Sequence, residues 1–106
     1  MQLYELNNFK GGWVVGDFDP AVIHSKDVEV AIKRYRRNDY DSSHYHKEAD
    51  EITIIVSGTI KMNGQIYHEN QVIWIKKNEI TDFLALTDAV TCVIKLPSVI
   101  GDKYLV

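Results

Sequence analysis

The chain lacks most features that would assign it to a specialised class of protein. It has a single cysteine, Cys92, so it cannot form an internal disulfide, which fits a reducing compartment. Its first residues, MQLYELNNFKGG, contain neither the basic nor the apolar region of a secretory signal, and no apolar run is long enough to span a bilayer. We therefore expect a cytoplasmic protein.

The composition also contains no excess of positive charge. The formal net charge is −3, so nothing in it favours binding to nucleic acid or to an anionic membrane. A Gly-x-Ser-x-Gly turn, a phosphate-binding loop and a Gly-rich dinucleotide turn are all absent. With 106 residues, 45% of them hydrophobic and 25% charged, the chain fits one small globular domain over residues 1–106.

What the sequence does contain is a series of short β-prone segments. Residues 28–35 (VEVAIKRY) alternate with the period of a strand, and residues 51–58 (EITIIVSG) are rich in β-branched side chains. Asn63 and Gly64 lie between two further β-prone runs and predict a hairpin. Three more runs follow at short spacing: QVIWI, TDFLALT and AVTCVIKLP. Because no segment has a helical pattern that could cover a sheet, we predict an all-β barrel or sandwich.

Two histidines stand out just before one of these segments. His44 and His46 are two residues apart, so they project from the same face of an extended strand. Glu51 follows after a short polar segment that can turn its carboxylate back toward the pair. Two imidazoles and one carboxylate suit Fe(II) and leave positions open for a substrate. The alternative is a pair of partly solvated histidines beside a loop.

These residues resemble the first motif of the cupin family. The match to its H-x-H-x4-E-x6-G pattern is carried by His44, His46, Glu51 and Gly58. The family opens this motif with a Gly, where this chain has Asn38, a residue type that tolerates positive φ. The second cupin motif is matched only in its strand, turn, strand pattern, and its histidine is replaced by Thr81.

The resemblance implies a jelly-roll β-barrel of six to eight antiparallel strands, commonly dimeric. The barrel core would cover roughly residues 28–95, with terminal arms packing on the barrel or on a dimer partner. It further implies a divalent metal ion (Fe, Mn, Ni or Zn) in the barrel mouth, held by His44, His46 and Glu51. Typical metal cupins use three histidines and the glutamate, whereas this chain offers two.

The residues expected to contact a ligand lie near the same mouth. Lys33, Tyr35 and Arg37 share one strand face, and a guanidinium there would anchor a carboxylate or phosphate. Parity alone leaves open which face points inward, and a solvated strand end is the alternative. The predicted ligand-binding residues are Tyr35, Arg37, Thr81, Trp74 and Phe83.

Other reactive groups receive plainer interpretations. Glu48 and Asp50 are expected to be solvated charges, although either could replace the glutamate of the motif if the turn is built differently. His24 and His68 are expected at the surface, and Cys92 is expected to be a structural thiol.

Two hypotheses about function follow. In the first, the protein binds a small anionic metabolite, such as a sugar, sugar phosphate or carboxylate, at the metal site in the barrel mouth, and the resemblance implies a metal-dependent dioxygenase, isomerase or decarboxylase. In the second, it binds or sequesters a small molecule without metal or turnover. Apolar residues near both ends, in GGWVVGDF and in the final YLV, need cover and predict a homodimer.

Overall fold

The chain consists of strands and two short 3-10 turns, and the computed structural model describes residues 1–106. The turns cover Leu6–Asn8 and Lys10–Gly12, and neither has the length or hydropathy of a membrane-spanning helix. The strands are β1 Trp13–Gly16, β2 Ile23–His24, β3 Glu29–Tyr35, β4 Tyr40–Tyr45, β5 Asp50–Ser57, β6 Thr59–Met62, β7 Gln65–His68, β8 Val72–Ile75, β9 Thr81–Ala85, β10 Ala89–Leu96 and β11 Tyr104–Leu105.

The strands form two sheets. The large sheet has the order β2-β1-β3-β10-β5-β8, and the small sheet has the order β11-β4-β9-β6-β7. All pairings are antiparallel except that of β1 with β2. The all-β jelly-roll fold expected from the sequence is confirmed.

The segments predicted as strands are strands in the structure. The predicted hairpin joins β6 to β7, and both residues of its turn have positive φ, 50° at Asn63 and 79° at Gly64. This is the conformation that two-residue hairpin turns prefer, because it matches the twist of the strands. The structure has eleven strands where the resemblance implied six to eight, because the arms at both ends add short strands of their own.

The core lies between the two sheets. It consists of seven buried residues that come from both: Ile55, Ile60, Met62, Ile75, Phe83, Ala85 and Ala89. Gly58 turns the chain from β5 to β6 with a φ of 87°, and a Cβ atom there would overlap the carbonyl oxygen of Asp88. Any larger residue at this position would therefore separate the two sheets where they meet.

The loop between β4 and β5 is held by one buried carboxylate. Asp102 accepts hydrogen bonds from the backbone N–H groups of Lys47, Glu48 and Ala49, at 2.9 to 3.2 Å. Charge-assisted bonds of this kind are stronger than neutral ones. The loop joins β4, which carries His44 and ends just before His46, to β5, which carries Glu51, so Asp102 holds the connection between the candidate metal ligands.

The C-terminal tail packs on its own barrel. Strand β11 pairs with β4, and the ring of Tyr104 stacks on that of Tyr45 with centroids 5.4 Å apart. The last two residues, Leu105 and Val106, nevertheless stay 71% and 75% exposed, so the pairing of β11 does not cover the apolar end of the tail.

We expect Asp102→Asn to destabilise the fold by about 1 to 3 kcal/mol, because the new amide NH2 group would face backbone N–H donors. The free energy of unfolding, measured by urea titration, tests this. Asp88→Asn is the matched control, because the exposed Asp88 accepts only one backbone hydrogen bond, from Arg37. An equal decrease in the free energy of unfolding for both variants would show that the three backbone hydrogen bonds to Asp102 add no stability beyond that of a single exposed bond.

Candidate functional site

A cavity of about 690 Å³ opens between the two sheets, a size typical of small-molecule sites. Its walls are inner-face residues of both sheets. Its mouth is bordered by residues 6–12, here called the N-terminal strap, together with Trp13 at the start of β1.

The two histidines of the motif project into this cavity together. His44 and His46 are both buried, with exposed fractions of 9% and 5%, and their ring centroids are 5.4 Å apart in an edge-on arrangement. Tyr45, between them in the chain, packs on the outer side against Tyr104. The alternation of the strand therefore places both imidazoles where the sequence predicted, on one face.

The His44 ring has a defined tautomer. Its Nδ1 atom lies 2.8 Å from the carbonyl oxygen of Ser42, and a carbonyl can only accept, so Nδ1 carries the hydrogen. In the neutral ring the lone pair is therefore on Nε2. A backbone carbonyl that fixes the other nitrogen in this way is the usual outer partner of a metal-binding histidine.

The His46 ring is held neutral. Burial, together with the positive charge of Lys95 and the neighbouring His44, lowers the pKa of His46 to about 4. Its Nε2 atom is buried and has no hydrogen-bond partner in the protein. Because buried polar atoms are nearly always paired, this nitrogen is suited to bind a metal ion or a ligand.

Glu51 reaches the cavity from the opposite sheet. It lies on β5, in register with Lys95 on one side and Ile75 on the other, and its Oε2 atom accepts a 3.0 Å hydrogen bond from Thr53. In the structure no three His, Cys, Asp or Glu side chains are arranged as a ready-made metal site. The predicted trio thus lines one cavity without being assembled, and Thr81 pairs with His44 where the family has its third histidine.

Three of the predicted ligand-binding residues line the cavity: Tyr35, Thr81 and Phe83. The rings of Tyr35 and Phe83 lie 4.4 Å apart and form one apolar wall. Burial raises the pKa of Tyr35 to about 12, and the nearby carboxylates of Asp41 and Glu51 contribute. The phenol is therefore a neutral hydrogen-bond donor at physiological pH.

The other two predicted contacts, Arg37 and Trp74, lie outside the cavity, and both predictions are corrected here. Strand β3 ends at Tyr35, so the alternation that would turn Arg37 inward does not reach it, and this residue is exposed in the following turn. Trp74 is 60% exposed on the outer face of the large sheet, where its Nε1 atom donates to Asp50.

The remaining sequence candidates also lie away from the site. Glu48 is exposed, and Asp50 accepts a hydrogen bond from the backbone of Lys77 instead of entering the cavity. His24 pairs with Asp19 at the surface, and His68 is exposed as well. Cys92 is half-buried on the outer face of β10.

Sequence reasoning missed several residues of the cavity. Lys95 lies on β10 two residues beyond the inward-facing Val93, so the alternation of that strand predicts its position. Trp13 and Lys103 come from the two arms and carry no local signal. Their place depends on how the arms pack.

We expect the free energy of unfolding of the metal-free protein to decrease as the pH is lowered, because of His46. The unfolded ring takes up a proton near pH 6.5 and the folded ring only near pH 4, so the unfolded state is favoured as pH falls between these values. His46→Gln should flatten the dependence of the unfolding free energy on pH in this window, measured by urea titration from pH 7 to 4. His68→Gln, at an exposed position, is the control, and an equal change in both would contradict the assignment.

Comparisons with known proteins agree on the fold. No protein-family model matches the chain, and none of the curated proteins matches it in sequence. Among solved structures, a protein with a double-stranded β-helix domain from Klebsiella pneumoniae has a TM-score of 0.73 at 13% identity, over 98% of this chain and 90% of that one. A cupin-2 domain protein from Shewanella frigidimarina has a TM-score of 0.59 at 18% identity, over 66% and 71% of the two chains.

A third neighbour carries a metal. The pirin YhhW from Escherichia coli, in complex with nickel(II), has a TM-score of 0.68 at 16% identity, over 82% of this chain and 39% of that one. Identities this low report on the fold only. Two packed and mainly antiparallel sheets, a cavity between them and these neighbours together show that the chain has the fold of a small cupin domain.

Proposed function

We propose that this cupin domain binds a small anionic metabolite in its cavity, beside a divalent metal ion held by His44, His46 and Glu51. The observation that carries the proposal is the unpaired, buried Nε2 atom of His46 next to a His44 ring whose own Nε2 bears the lone pair. Two neutral imidazole nitrogens in one cavity are the donors that Fe, Ni and Zn prefer.

The residues around the metal ligands support this assignment. The Ser42 carbonyl keeps His44 in the tautomer that a metal needs, and Thr53 holds one carboxylate oxygen of Glu51. When bound, the metal would act as a Lewis acid toward an oxygen of the metabolite. A solved cupin-fold neighbour, the Escherichia coli pirin, is described in complex with nickel(II).

The charge of the cavity supports an anion as the ligand. Its lining has four cationic side chains against three carboxylates: Lys33, Arg34, Lys95 and Lys103 against Asp39, Asp41 and Glu51. The phenol of Tyr35, neutral because its pKa is raised, adds a hydrogen-bond donor for an oxyanion. The cationic side chains would therefore bind the anionic group of the metabolite, and the metal ion would bind another part of the same molecule.

The second candidate is a cupin that binds its ligand without a metal. Thr81 supports it, because a neutral hydroxyl is a weak ligand in the place of the family's third histidine. The absence of three assembled His, Cys, Asp or Glu side chains supports it as well. In this case His44 and His46 would bind the ligand through hydrogen bonds.

Metal analysis separates the two candidates. We expect the untagged protein, reconstituted with iron, manganese, nickel or zinc, to hold close to one ion per chain by elemental mass spectrometry. The double variant His44→Ala/His46→Ala should lose it, while His68→Ala should retain it. Thr81→His should tighten binding, since it supplies the missing imidazole next to His44. A wild-type protein that binds none of the four metals would refute the metal site and favour the second candidate.

The outer face of the large sheet supports a second copy of the chain as partner. One row of paired residues crosses all six strands without a charged side chain: Ile23, Val15, Val30, Ile94, Ile52 and Trp74. The adjacent row is equally apolar: Ile32, Cys92, Ile54 and Val72. A two-fold axis through this face would place the apolar rows of two chains against each other. The apolar side chains that a monomer exposes would then be buried.

We expect wild-type protein to sediment as a dimer of its 12.2 kDa chain at micromolar concentration. The double variant Val72→Glu/Trp74→Glu should sediment as a monomer, because charges would be buried at the interface. Both positions are more than half exposed in the single chain, so the fold should survive, as circular dichroism will show. Ile66→Glu on the small sheet is the control and should leave the dimer intact. Monomeric wild-type protein would rule out this partner.

A further inference from the structure

Two lysines of the cavity have no carboxylate partner. Lys33 projects from β3 and Lys95 from β10, both on the inner face of the large sheet. No carboxylate oxygen lies within 4.0 Å of either ammonium group, whereas Lys103 is paired with Asp41 at 3.1 Å. The wall of the cavity formed by the large sheet therefore carries two ammonium groups that are not in ion pairs.

Nearby glutamates do not supply the missing partner. Glu29 and Glu51 flank Lys95 in register, on β3 and β5. Neither comes within ion-pairing distance, and Glu51 is instead bound to Thr53. Burial lowers the pKa of Lys33, the charges of Lys95 and Lys103 lower it further, and the carboxylates of Asp41 and Glu51 offset only part of this shift.

Both ammonium groups contact the same aromatic ring. The Nζ atoms of Lys33 and Lys95 lie 5.0 and 5.1 Å from the ring centroid of Trp13. Each cation–π contact is favourable on its own. Two like charges near one indole repel each other, and a negative group close to both would offset that repulsion.

The N-terminal strap brings the indole to this place. Gly11 and Gly12 have positive φ, 59° and 78°, and a Cβ atom on Gly12 would overlap the carbonyl oxygen of Ile32. A Cβ atom on Gly11 would lie 3.0 Å from the Nζ atom of Lys33. Only glycine backbone lets the strap approach β3 closely enough to set Trp13 against both lysines.

We propose that Lys33, Lys95 and Trp13 form a subsite for a dianionic oxyanion group, of the kind carried by a phosphate monoester. Two unpaired ammonium groups match two negative charges, whereas a single carboxylate would neutralise one of them. The subsite rests on the proposed function for the role of the cavity, and it lies on a different wall from the imidazoles. The proposed metabolite therefore carries a dianionic group that binds at this subsite and does not contact the metal ion.

Tryptophan fluorescence tests the subsite directly, because the chain has only two tryptophans. In a Trp74→Phe background the emission of Trp13 alone is recorded while inorganic phosphate is titrated at pH 8, at constant ionic strength and without metal. We expect a saturable change with phosphate and roughly tenfold weaker binding of acetate. Phosphate that binds no better than acetate would overturn the assignment of a dianionic group.

Variants show which residues bind. Lys33→Gln and Lys95→Gln should each weaken phosphate binding roughly tenfold or more, since each removes one charged donor. Lys76→Gln is the control, because Lys76 is an exposed lysine outside the cavity, so its loss removes the same charge and should leave phosphate binding unchanged. Unchanged phosphate affinity in both cavity variants would overturn the proposal.

Two further measurements keep the outcome unambiguous. Phosphate should raise the melting temperature of the wild type but not that of Lys33→Gln, which also reports whether the variant is folded. Phosphate binding should survive in His44→Ala/His46→Ala, because these residues are not part of the subsite. Metal binding without phosphate binding would refute the subsite and leave the metal site standing, and the reverse result would refute the metal site alone.

Discussion

Side-chain alternation along the strands of the large sheet is the constraint on which both the site and the surface of this protein depend. On β10, Thr91 and Lys95 face the cavity while Cys92 and Ile94 face outward. The inner face of the sheet therefore carries polar and charged groups at the cavity beside the apolar core residues Ile55, Ile75 and Ala89, while its outer face carries apolar rows in place of a solvated polar surface. Both faces then need a partner, which the proposed ligand and the proposed second chain would provide.

The cavity is a place where the fold leaves polar groups unpaired. The Nε2 atom of His46 and the Oγ1 atom of Thr91 are buried without hydrogen-bond partners, and the ammonium groups of Lys33 and Lys95 are in no ion pair. Each of these features costs folding free energy, because buried polar groups lose their water. The opposing stabilisation is found outside the cavity, in the seven-residue core and in the carboxylate of Asp102, which fixes the loop between the two strands that carry the candidate ligands.

Local pattern was enough to predict most of the strands and the shared face of His44 and His46, because alternation and turn chemistry depend on neighbouring residues. It failed for Arg37 and Trp74. Arg37 lies past the last residue of β3, where alternation no longer applies, and Trp74 faces outward on a strand whose two faces are both apolar. With apolar residues on both faces, hydrophobicity gives no indication of which one is the interior.

The sequence by itself determined the class of fold, the position of its hairpin and the pairing of the two imidazoles on one strand face. Only the tertiary structure decided that Glu51 approaches from the opposite sheet, that the tail packs on its own barrel, and that Trp13 lies against Lys33 and Lys95. These features join residues far apart in the chain. They depend on the order of the strands and on the path of the strap, and no short-range pattern of residues encodes either.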